Sequence, residues 1–163
     1  MSFNSLGLSW SLLDALAKNN FDEAYPIQKQ AIPAILKGTD VLGVAKTGSG
    51  KTMAYVLPIL MNVKANTSRE GQLANLVLVP TSELAIQVRD VFEHFKILLQ
   101  QRMKTLAVYG GVAINPQMQA LRNVDILIAT PGRLLELVDL KAASLSHVDT
   151  LVLDEADKML NLG

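Results

Sequence analysis

Short apolar runs alternate along the chain with segments in which apolar residues recur at helical spacing. The runs rich in Val, Ile and Leu lie at Val41–Val44, Leu76–Val79, Thr105–Tyr109, Val124–Ala129 and Val148–Leu153. Continuous apolar strands separated by helices are typical of a parallel sheet with both faces covered. The pattern therefore predicts an α/β fold, with a mainly parallel sheet flanked by helices.

Helices are predicted in several of the segments outside these strands. The clearest spans Ser82–Gln100, because its apolar residues form one stripe and its charged residues lie off that stripe. Two shorter helices are predicted nearer the N-terminus, at about Ser11–Ala17 and Pro26–Leu36, and Pro33 is expected to divide the second. The polar stretch Asn66–Gln72 is predicted to be an exposed loop.

The first apolar run leads directly into a sequence typical of a phosphate-binding loop. Small residues there let consecutive backbone N–H groups turn towards phosphate oxygens, the lysine adds a positive charge, and the threonine hydroxyl can ligate Mg²⁺ at a helix N-terminus. The residues predicted to bind phosphate are Thr47, Gly48, Ser49, Gly50, Lys51 and Thr52. The alternative is a Gly/Ser turn that happens to contain a lysine.

The last apolar run ends in a group of acidic residues, Asp154, Glu155 and Asp157. In a chain with a phosphate loop, an acidic residue directly after a strand lies where a nucleotide-bound Mg²⁺ needs an anion. Asp154 is predicted to hold the metal through water, and Glu155 to orient or deprotonate the attacking water. The alternative is a solvated helix start, because Asp and Glu are common in first turns.

Composition limits the class of protein. With 163 residues, of which 50% are hydrophobic, the chain can form one domain with a substantial core. Fifteen basic and fifteen acidic residues give a net charge of zero, so nucleic-acid binding would rest on local charge. Cysteine is absent, the N-terminus does not resemble a signal peptide, and the longest apolar run, Met53–Met61, is too short to cross a bilayer. These features predict a soluble, cytoplasmic protein.

Further motifs occur along the chain in the order found in one family. They are Phe21 with Pro26-Ile27-Gln28, Pro80-Thr81-Ser82-Glu83-Leu84-Ala85 with Gln87, Gly110-Gly111, and Thr130-Pro131-Gly132-Arg133. Together with the phosphate loop and Asp154–Asp157, they resemble the DEAD-box RNA helicases over essentially the whole chain. Ala45, at the head of the phosphate loop, also fits this family. The opening residues are most similar to its bacterial RhlE-type subgroup.

The resemblance implies that residues 1–163 are an N-terminal RecA-like lobe, with adenine-recognition helices at 1–38 and a P-loop core at 39–163. It implies ATP and Mg²⁺ as cofactors. The catalytic residues would be Lys51, Asp154 and Glu155.

The resemblance also implies an adenine site. Gln28 would form two hydrogen bonds with the adenine edge, while Phe3 or Phe21 would cover the ring face. Gln28 could instead be an ordinary glutamine on a helix surface. Phe3 could equally anchor the first helix in the core.

RNA contacts are assigned by the same resemblance to residues that follow strands. They lie at the expected carboxyl edge of the sheet, where ligands collect in open α/β folds. These residues are Pro80, Thr81, Gly110, Gly111, Thr130 and Arg133. In the family they grip phosphodiester and ribose hydroxyl groups, so that RNA binds without its sequence being read. The diglycine could also be a simple turn, and Thr130 a helix N-cap, and both roles are compatible with phosphate binding.

The chain departs from the family pattern at two places. Ser82 stands where the family usually has arginine, and the lost charge is expected to weaken an RNA or interlobe contact. Asn20, Ala24 and Tyr25 stand where the adenine motif usually has glycine, proline and often threonine. Adenine specificity is expected from Gln28 and the rest of the motif.

Other family elements are expected after Gly163. They are a Ser-Ala-Thr strand, which would lie between Val41–Val44 and Leu151–Leu153, and a second RecA-like lobe that carries arginine fingers. Without those arginines, hydrolysis loses much of its transition-state stabilisation. Without that strand, two sheet edges stay unpaired. The chain alone is therefore expected to be inactive as an ATPase, and to be unstable or to associate.

These patterns predict the ATP-binding lobe of a DEAD-box RNA helicase. Its partners would be single-stranded or short duplex RNA and the second RecA-like lobe of the same protein. ATP binding would close the two lobes on RNA and separate a short duplex, and hydrolysis would reset the cycle. The alternative is a catalytically inert module that binds nucleotide or RNA.

Overall fold

The computed structural model describes residues 2–46, 48–63 and 73–160. The chain divides into two compact units. The N-terminal unit comprises Met1–Lys64 with Phe95–Gln101, and the sheet unit comprises Ala65–His94 with Arg102–Gly163. Within the described ranges, no helix is both long and apolar enough to cross a bilayer. The predicted loop at Asn66–Gln72 lies outside the described residues.

Three α-helices form most of the N-terminal unit: α1 at Trp10–Lys18, α2 at Pro26–Leu36 and α3 at Lys51–Asn62. The hydroxyl of Ser9 caps α1 by accepting a hydrogen bond from the Leu12 N–H. Helix α2 packs against α3. A run of seven residues in α3, Ala54–Leu60, is buried. The two helices predicted before the phosphate loop are therefore confirmed.

Helix α2 is continuous through Pro33, so the prediction that this proline divides the segment is wrong. A proline inside a helix removes one backbone hydrogen bond and crowds the preceding turn. Pro33 costs α2 the one bond that an N–H at this position would donate to the Lys29 carbonyl, and packing of α2 against α3 keeps the helix continuous. Its neighbour Ile32 is fully buried and helps to hold the backbone in place.

The predicted strand at Val41–Val44 is also wrong, because this segment has no regular secondary structure. Leu42 is 92% exposed and Val44 is 89% exposed. A strand needs a neighbouring strand to take up its backbone hydrogen bonds. The apolar composition of the segment could not show that a neighbour is missing from the described part of the chain.

The described residues of the sheet unit form a four-stranded parallel sheet, in the order β2-β3-β1-β4. The strands are β1 at Asn75–Leu78, β2 at Thr105–Val108, β3 at Ile126–Ala129 and β4 at Thr150–Leu153. Each lies within a predicted apolar run or extends one residue beyond it, so the parallel α/β fold is confirmed. All four residues of β3 are fully buried, as expected for an inner strand of a covered parallel sheet.

The helices of the sheet unit follow the strands. They are α5 at Ile114–Ala120, α6 at Pro131–Asp139 and α7 at Ala156–Leu160, while α4, at Ser82–Leu99, contributes residues to both units. The predicted Ser82–Gln100 helix is thus confirmed. Leu127 on β3 and Leu137 on α6 belong to one buried cluster, which fixes α6 against the sheet. At the edge of the described sheet, Leu151 and Leu153 on β4 are exposed.

Leucine-to-alanine substitutions on β3 and β4 test whether β3 is buried in the core and β4 lies at the exposed edge. We expect Leu127→Ala to lower the free energy of unfolding by about 2–5 kcal/mol, because it leaves a cavity in a packed core. We expect Leu151→Ala, on the exposed edge, to change it by about 0.5 kcal/mol or less. Urea unfolding of both variants checks the expectation. Equal losses would contradict the assignment of β3 to the core and β4 to the edge.

Candidate functional site

The predicted phosphate loop leads into the N-terminus of α3. Gly48 has a φ of 79° and Gly50 a φ of 84°, which are left-handed conformations that glycine adopts without strain. Gly50 is the N-cap residue, so the loop ends where the first N–H groups of a 12-residue helix lack helical partners. Such an N-terminus favours an anion. Thr47 lies outside the described residues.

The side chains of the loop are arranged around its own backbone. The Lys51 ammonium donates a hydrogen bond of 2.7 Å to the carbonyl of Ala45. The hydroxyl of Ser49 is buried and has no hydrogen-bond partner among the described residues. Thr52, the residue after Lys51, is half-buried in the first turn of α3. A positive charge and an unused buried hydroxyl thus lie in a loop that ends at a helix N-terminus, and this donor set fits phosphate.

Gln28 joins α2 to this loop. Its side chain is only 2% exposed. The amide oxygen accepts a 2.9 Å hydrogen bond from the Tyr25 N–H, and the amide nitrogen donates one of 3.0 Å to the carbonyl of Gly50. Gln28 is therefore not an ordinary surface glutamine. The residue predicted to read the base is bonded to the loop predicted to hold the phosphates.

Gly50 has a second reason to be glycine. A Cβ at this position would overlap the Gln28 amide nitrogen and would lie 2.8 Å from Cδ2 of Tyr25. The contact of α2 with the loop thus requires a bare backbone at Gly50. The same test at Gly48 finds no atom of the described residues within 4 Å.

The two aromatic candidates for the adenine face differ in exposure. Phe3 is 4% exposed and belongs to the core, which matches its alternative role as an anchor. Phe21 is 40% exposed, and its ring centroid lies 6.2 Å from that of Phe95. Phe21 is therefore the better placed of the two to cover a ligand ring, although stacking by either residue stays a prediction.

The predicted RNA residues and the acidic motif follow the strands of the sheet unit at one edge. The strands end in register, because Leu78 pairs with both Ala129 and Leu153, and Ala129 also pairs with Val108. Across this edge the order is Tyr109-Gly110-Gly111, then Thr130, then Pro80-Thr81, then Asp154. Strands about 4.8 Å apart make the edge about 14 Å wide.

Thr81 starts α4. Its hydroxyl accepts a 3.2 Å hydrogen bond from the Leu84 N–H, as an N-cap residue does. The carboxylate of Glu83 is hydrogen-bonded by its own backbone N–H and by the hydroxyls of Ser82 and Thr81, and these bonds lower the pKa of Glu83. Thr81 therefore already has helix-capping partners, and its RNA contact stays a prediction.

Two of the three glycines at this edge, Gly110 and Gly132, are not explained by the fold. Gly111 needs its glycine because its φ is 81°. Gly110 and Gly132 have no left-handed φ, and an added Cβ would meet no described atom within 4 Å at either position. Gly132 also lies in α6, where glycine is a poor helix former. Bare backbone at these two positions leaves room for a ligand to approach closely.

Arg133, predicted to contact RNA, is 7% exposed. Its Nη2 donates a 2.9 Å hydrogen bond to the carbonyl of Val112, and its Nε donates one of 2.9 Å to a carboxylate oxygen of Glu136. The third nitrogen, Nη1, is buried with no hydrogen-bond partner in the described part of the chain. Thr130 occupies the N-cap position as predicted, but its side chain forms no capping hydrogen bond there.

The acidic motif is only partly solvated. Asp154 is buried, so a solvated helix start does not describe this residue. Glu155 has a φ of 51° and forms a 2.8 Å ion pair with Lys158, whose pKa is raised by that hydrogen bond and charge. No cluster of three metal-ligating side chains occurs among the described residues. A single carboxylate fits Mg²⁺, which binds proteins through few carboxylates and completes its coordination with phosphate and water oxygens.

Some residues of the site were missed by sequence analysis. They are Gln117, Glu136 and Lys158. The spacing of three between Arg133 and Glu136 is a recognisable helical pair. The bond from Gln117 to the carbonyl of Tyr109 has no sequence signal, because a turn of unknown shape separates the two residues.

Comparisons with known proteins agree on the family to which this chain belongs. The family model described as DEAD/DEAH box helicase matches residues 25–163. The chain is 46% identical, over its whole length, to the DEAD-box ATP-dependent RNA helicase CshA of Streptococcus pneumoniae, and 43% identical to ATP-dependent RNA helicase CshA of Limosilactobacillus reuteri. It covers 30% and 32% of those proteins, so it spans about a third of the length of these relatives.

Solved structures agree with the fold. A DEAD box protein from Methanococcus jannaschii matches with a TM-score of 0.91 and 39% identity, and the match covers 100% of this chain and 44% of that one. The RNA helicase Prp28 from Chaetomium thermophilum, bound to ADP, matches with a TM-score of 0.90 and 36% identity. That match covers 99% of this chain and 40% of Prp28.

The close approach at Gly50 can be tested against Gly48. Alanine at either position adds a Cβ to a left-handed residue, which costs about 1–2 kcal/mol. At Gly50 the Cβ also overlaps the Gln28 amide, so we expect Gly50→Ala to lower the free energy of unfolding by at least about 1 kcal/mol more than Gly48→Ala. Urea unfolding measures both. A loss at Gly50 no larger than that at Gly48 would refute the contact.

Proposed function

Because the chain belongs to the DEAD/DEAH box helicase family, we propose that it acts as the N-terminal, ATP-binding lobe of an RNA helicase. The longer protein would couple ATP binding and hydrolysis to local unwinding of RNA duplexes. The observation that carries this proposal is the hydrogen bond between the Gln28 amide and the Gly50 carbonyl, which joins the side chain predicted to read the base to the loop predicted to hold the phosphates.

The amide chemistry of Gln28 supports adenine as the base. A glutamine amide has two N–H donors and two acceptor positions, and the Gly50 and Tyr25 bonds use one of each. The remaining donor and acceptor match the adenine edge, which presents the N7 acceptor beside the N6 donor. Guanine presents two acceptors, N7 and O6, at the same edge. Gln28 therefore favours ATP over GTP.

The phosphates would bind at Gly48–Thr52. Lys51 would exchange its bond to the Ala45 carbonyl for phosphate oxygens, and the unpartnered Ser49 hydroxyl would gain an acceptor. The Thr52 hydroxyl and, through water, the Asp154 carboxylate would ligate Mg²⁺. When bound, Mg²⁺ neutralises phosphate charge and polarises the bond to be broken.

Glu155 would orient the attacking water and accept its proton. Its side chain is mostly buried and directly follows the buried Asp154. The Lys158 ammonium lies 2.8 Å from a carboxylate oxygen of Glu155. The arginines that stabilise the transition state would come from the second RecA-like lobe of the longer protein.

RNA would lie along the edge formed by Pro80, Thr81, Gly110, Gly111, Thr130 and Arg133. The bare backbone at Gly110 and Gly132 supports this assignment, because neither glycine is required by the fold of the described residues. The Thr130 hydroxyl, which forms no capping bond, and the N-terminus of α6 supply donors for phosphate and ribose oxygens. The site would read the sugar-phosphate backbone and not the bases.

A second candidate is an inert module that binds nucleotide or RNA without turnover. Ser82 lacks the positive charge of the usual arginine, and Lys51 and Glu155 are both bonded to groups of this chain. RNA-stimulated ATP turnover by the longer protein would distinguish the two candidates. The cytoplasmic location expected from the sequence stays a prediction.

Nucleotide binding by this chain tests the phosphate loop. We expect Lys51→Ala to weaken ATP binding more than about tenfold, because it removes charge-assisted bonds worth about 1.5–3 kcal/mol. Lys46→Ala is the matched control, since Lys46 is exposed in the same loop and has no assigned phosphate contact. Titration with fluorescent ATP measures both. Equal affinity in Lys51→Ala and wild type would refute the assignment.

A further inference from the structure

The Gly110–Gly111 loop is held from both sides by side chains of the two helices that flank it. Gln117 on α5 donates a 3.1 Å hydrogen bond to the carbonyl of Tyr109, just before the diglycine. Arg133 on α6 donates one of 2.9 Å to the carbonyl of Val112, just after it. The two bonds bracket the diglycine, so the backbone of the loop is fixed at both of its ends.

The loop has little else to fix it. Gly110 and Gly111 carry no side chains, and an added Cβ at either would meet no described atom within 4 Å. The side chain of Val112 is exposed. Glycine has more backbone freedom than any other residue, so the loop would sample many conformations without these two carbonyl bonds.

Glu136 sets the direction of the Arg133 side chain. The Arg133 guanidinium is buried and planar, and its Nε bond to Glu136 fixes the plane in which Nη2 reaches Val112. Without the carboxylate, Nε would be unpaired, in addition to Nη1, which already lacks a partner in the described residues. A buried guanidinium with two unpaired nitrogens would turn towards water and release the loop.

We propose that Glu136 is a positioning residue, which acts through Arg133 to hold the Gly110–Gly111 loop in the conformation that binds an RNA backbone. This inference rests on the proposed function of the sheet edge. Glu136 itself does not touch the RNA. Its carboxylate is mostly exposed, on the same helix as the predicted phosphate contacts at the N-terminus of α6.

Charge alone predicts the opposite effect for Glu136. A negative side chain near bound phosphates repels them, so its removal should strengthen RNA binding or leave it unchanged. A positioning role predicts that removal weakens RNA binding. Asp139 gives a matched control, because it lies three residues further along α6, is exposed, and has the same charge.

The experiment compares Glu136→Ala with Asp139→Ala in the full 163-residue chain. The first readout is the pair of backbone amide NMR signals of Gly110 and Gly111 without RNA. The second is the affinity for a fluorescein-labelled single-stranded oligouridylate RNA, measured by anisotropy at one salt concentration. Thermal unfolding confirms that each variant is folded, and Glu136→Gln, which keeps an acceptor for Arg133, serves as the conservative variant.

We expect Glu136→Ala to shift both glycine signals and to weaken RNA binding about three- to tenfold, which corresponds to about 0.7–1.4 kcal/mol. We expect Asp139→Ala to leave the signals in place and RNA binding unchanged or slightly tighter. Glu136→Gln should fall between Glu136→Ala and wild type in both readouts.

Glycine signals that stay at their wild-type positions in Glu136→Ala would overturn the inference, as would an RNA affinity equal to that of Asp139→Ala. If wild type itself binds no RNA, the proposed RNA-binding edge of this chain fails. The glycine signals then still decide whether Glu136 holds the loop. The two failures are therefore distinguishable.

Discussion

The proposed nucleotide site of the N-terminal unit depends on one side-chain amide. Gln28 accepts a hydrogen bond from the backbone of Tyr25 and donates one to the carbonyl of Gly50, and it is almost completely buried. These bonds fix the start of α2 and the end of the phosphate loop relative to each other. They also explain why Gly50 must be glycine, because a Cβ would occupy the place of the amide. A change at any of the three residues would therefore disturb the other two.

In the sheet unit the corresponding constraint is strand direction. Because all four strands are parallel and end in register, the residues that follow them meet at one edge. This places the diglycine, Thr130, Pro80-Thr81 and Asp154 in a row, although they are far apart in the sequence. Side-chain bonds then refine the edge. Arg133 joins the diglycine loop to α6, and Lys158 pairs with Glu155.

Much of this organisation could be predicted from the sequence. The apolar runs predicted the four strands, and motif order predicted the phosphate loop, the acidic motif and the family. The two predictions that were wrong have physical explanations. Val41–Val44 has the composition of a strand, but composition cannot show whether a neighbouring strand is present. Pro33 looked like a helix break, yet its buried neighbours Ala31 and Ile32 hold α2 continuous across it.

Side-chain partners were the least predictable part of the site. Arg133 matched an RNA-binding motif, but its burial and its bond to Val112 depend on how a loop folds back against α6. Gln28 matched an adenine motif, but the sequence could not show its bond to Gly50, which lies 22 residues away. Spacing along the chain predicts contacts within a helix and not contacts between loops.

The base preference of this chain shows whether Gln28 reads adenine. Fluorescent ATP and GTP would be titrated into wild type, Gln28→Ala and Gln30→Ala, the last being an exposed glutamine on the same helix. We expect wild type and Gln30→Ala to prefer ATP. In Gln28→Ala we expect the ratio of ATP affinity to GTP affinity to fall by about tenfold or more, because the base edge loses its matched donor and acceptor. An ATP preference that is the same in Gln28→Ala and wild type would show that Gln28 does not read the base.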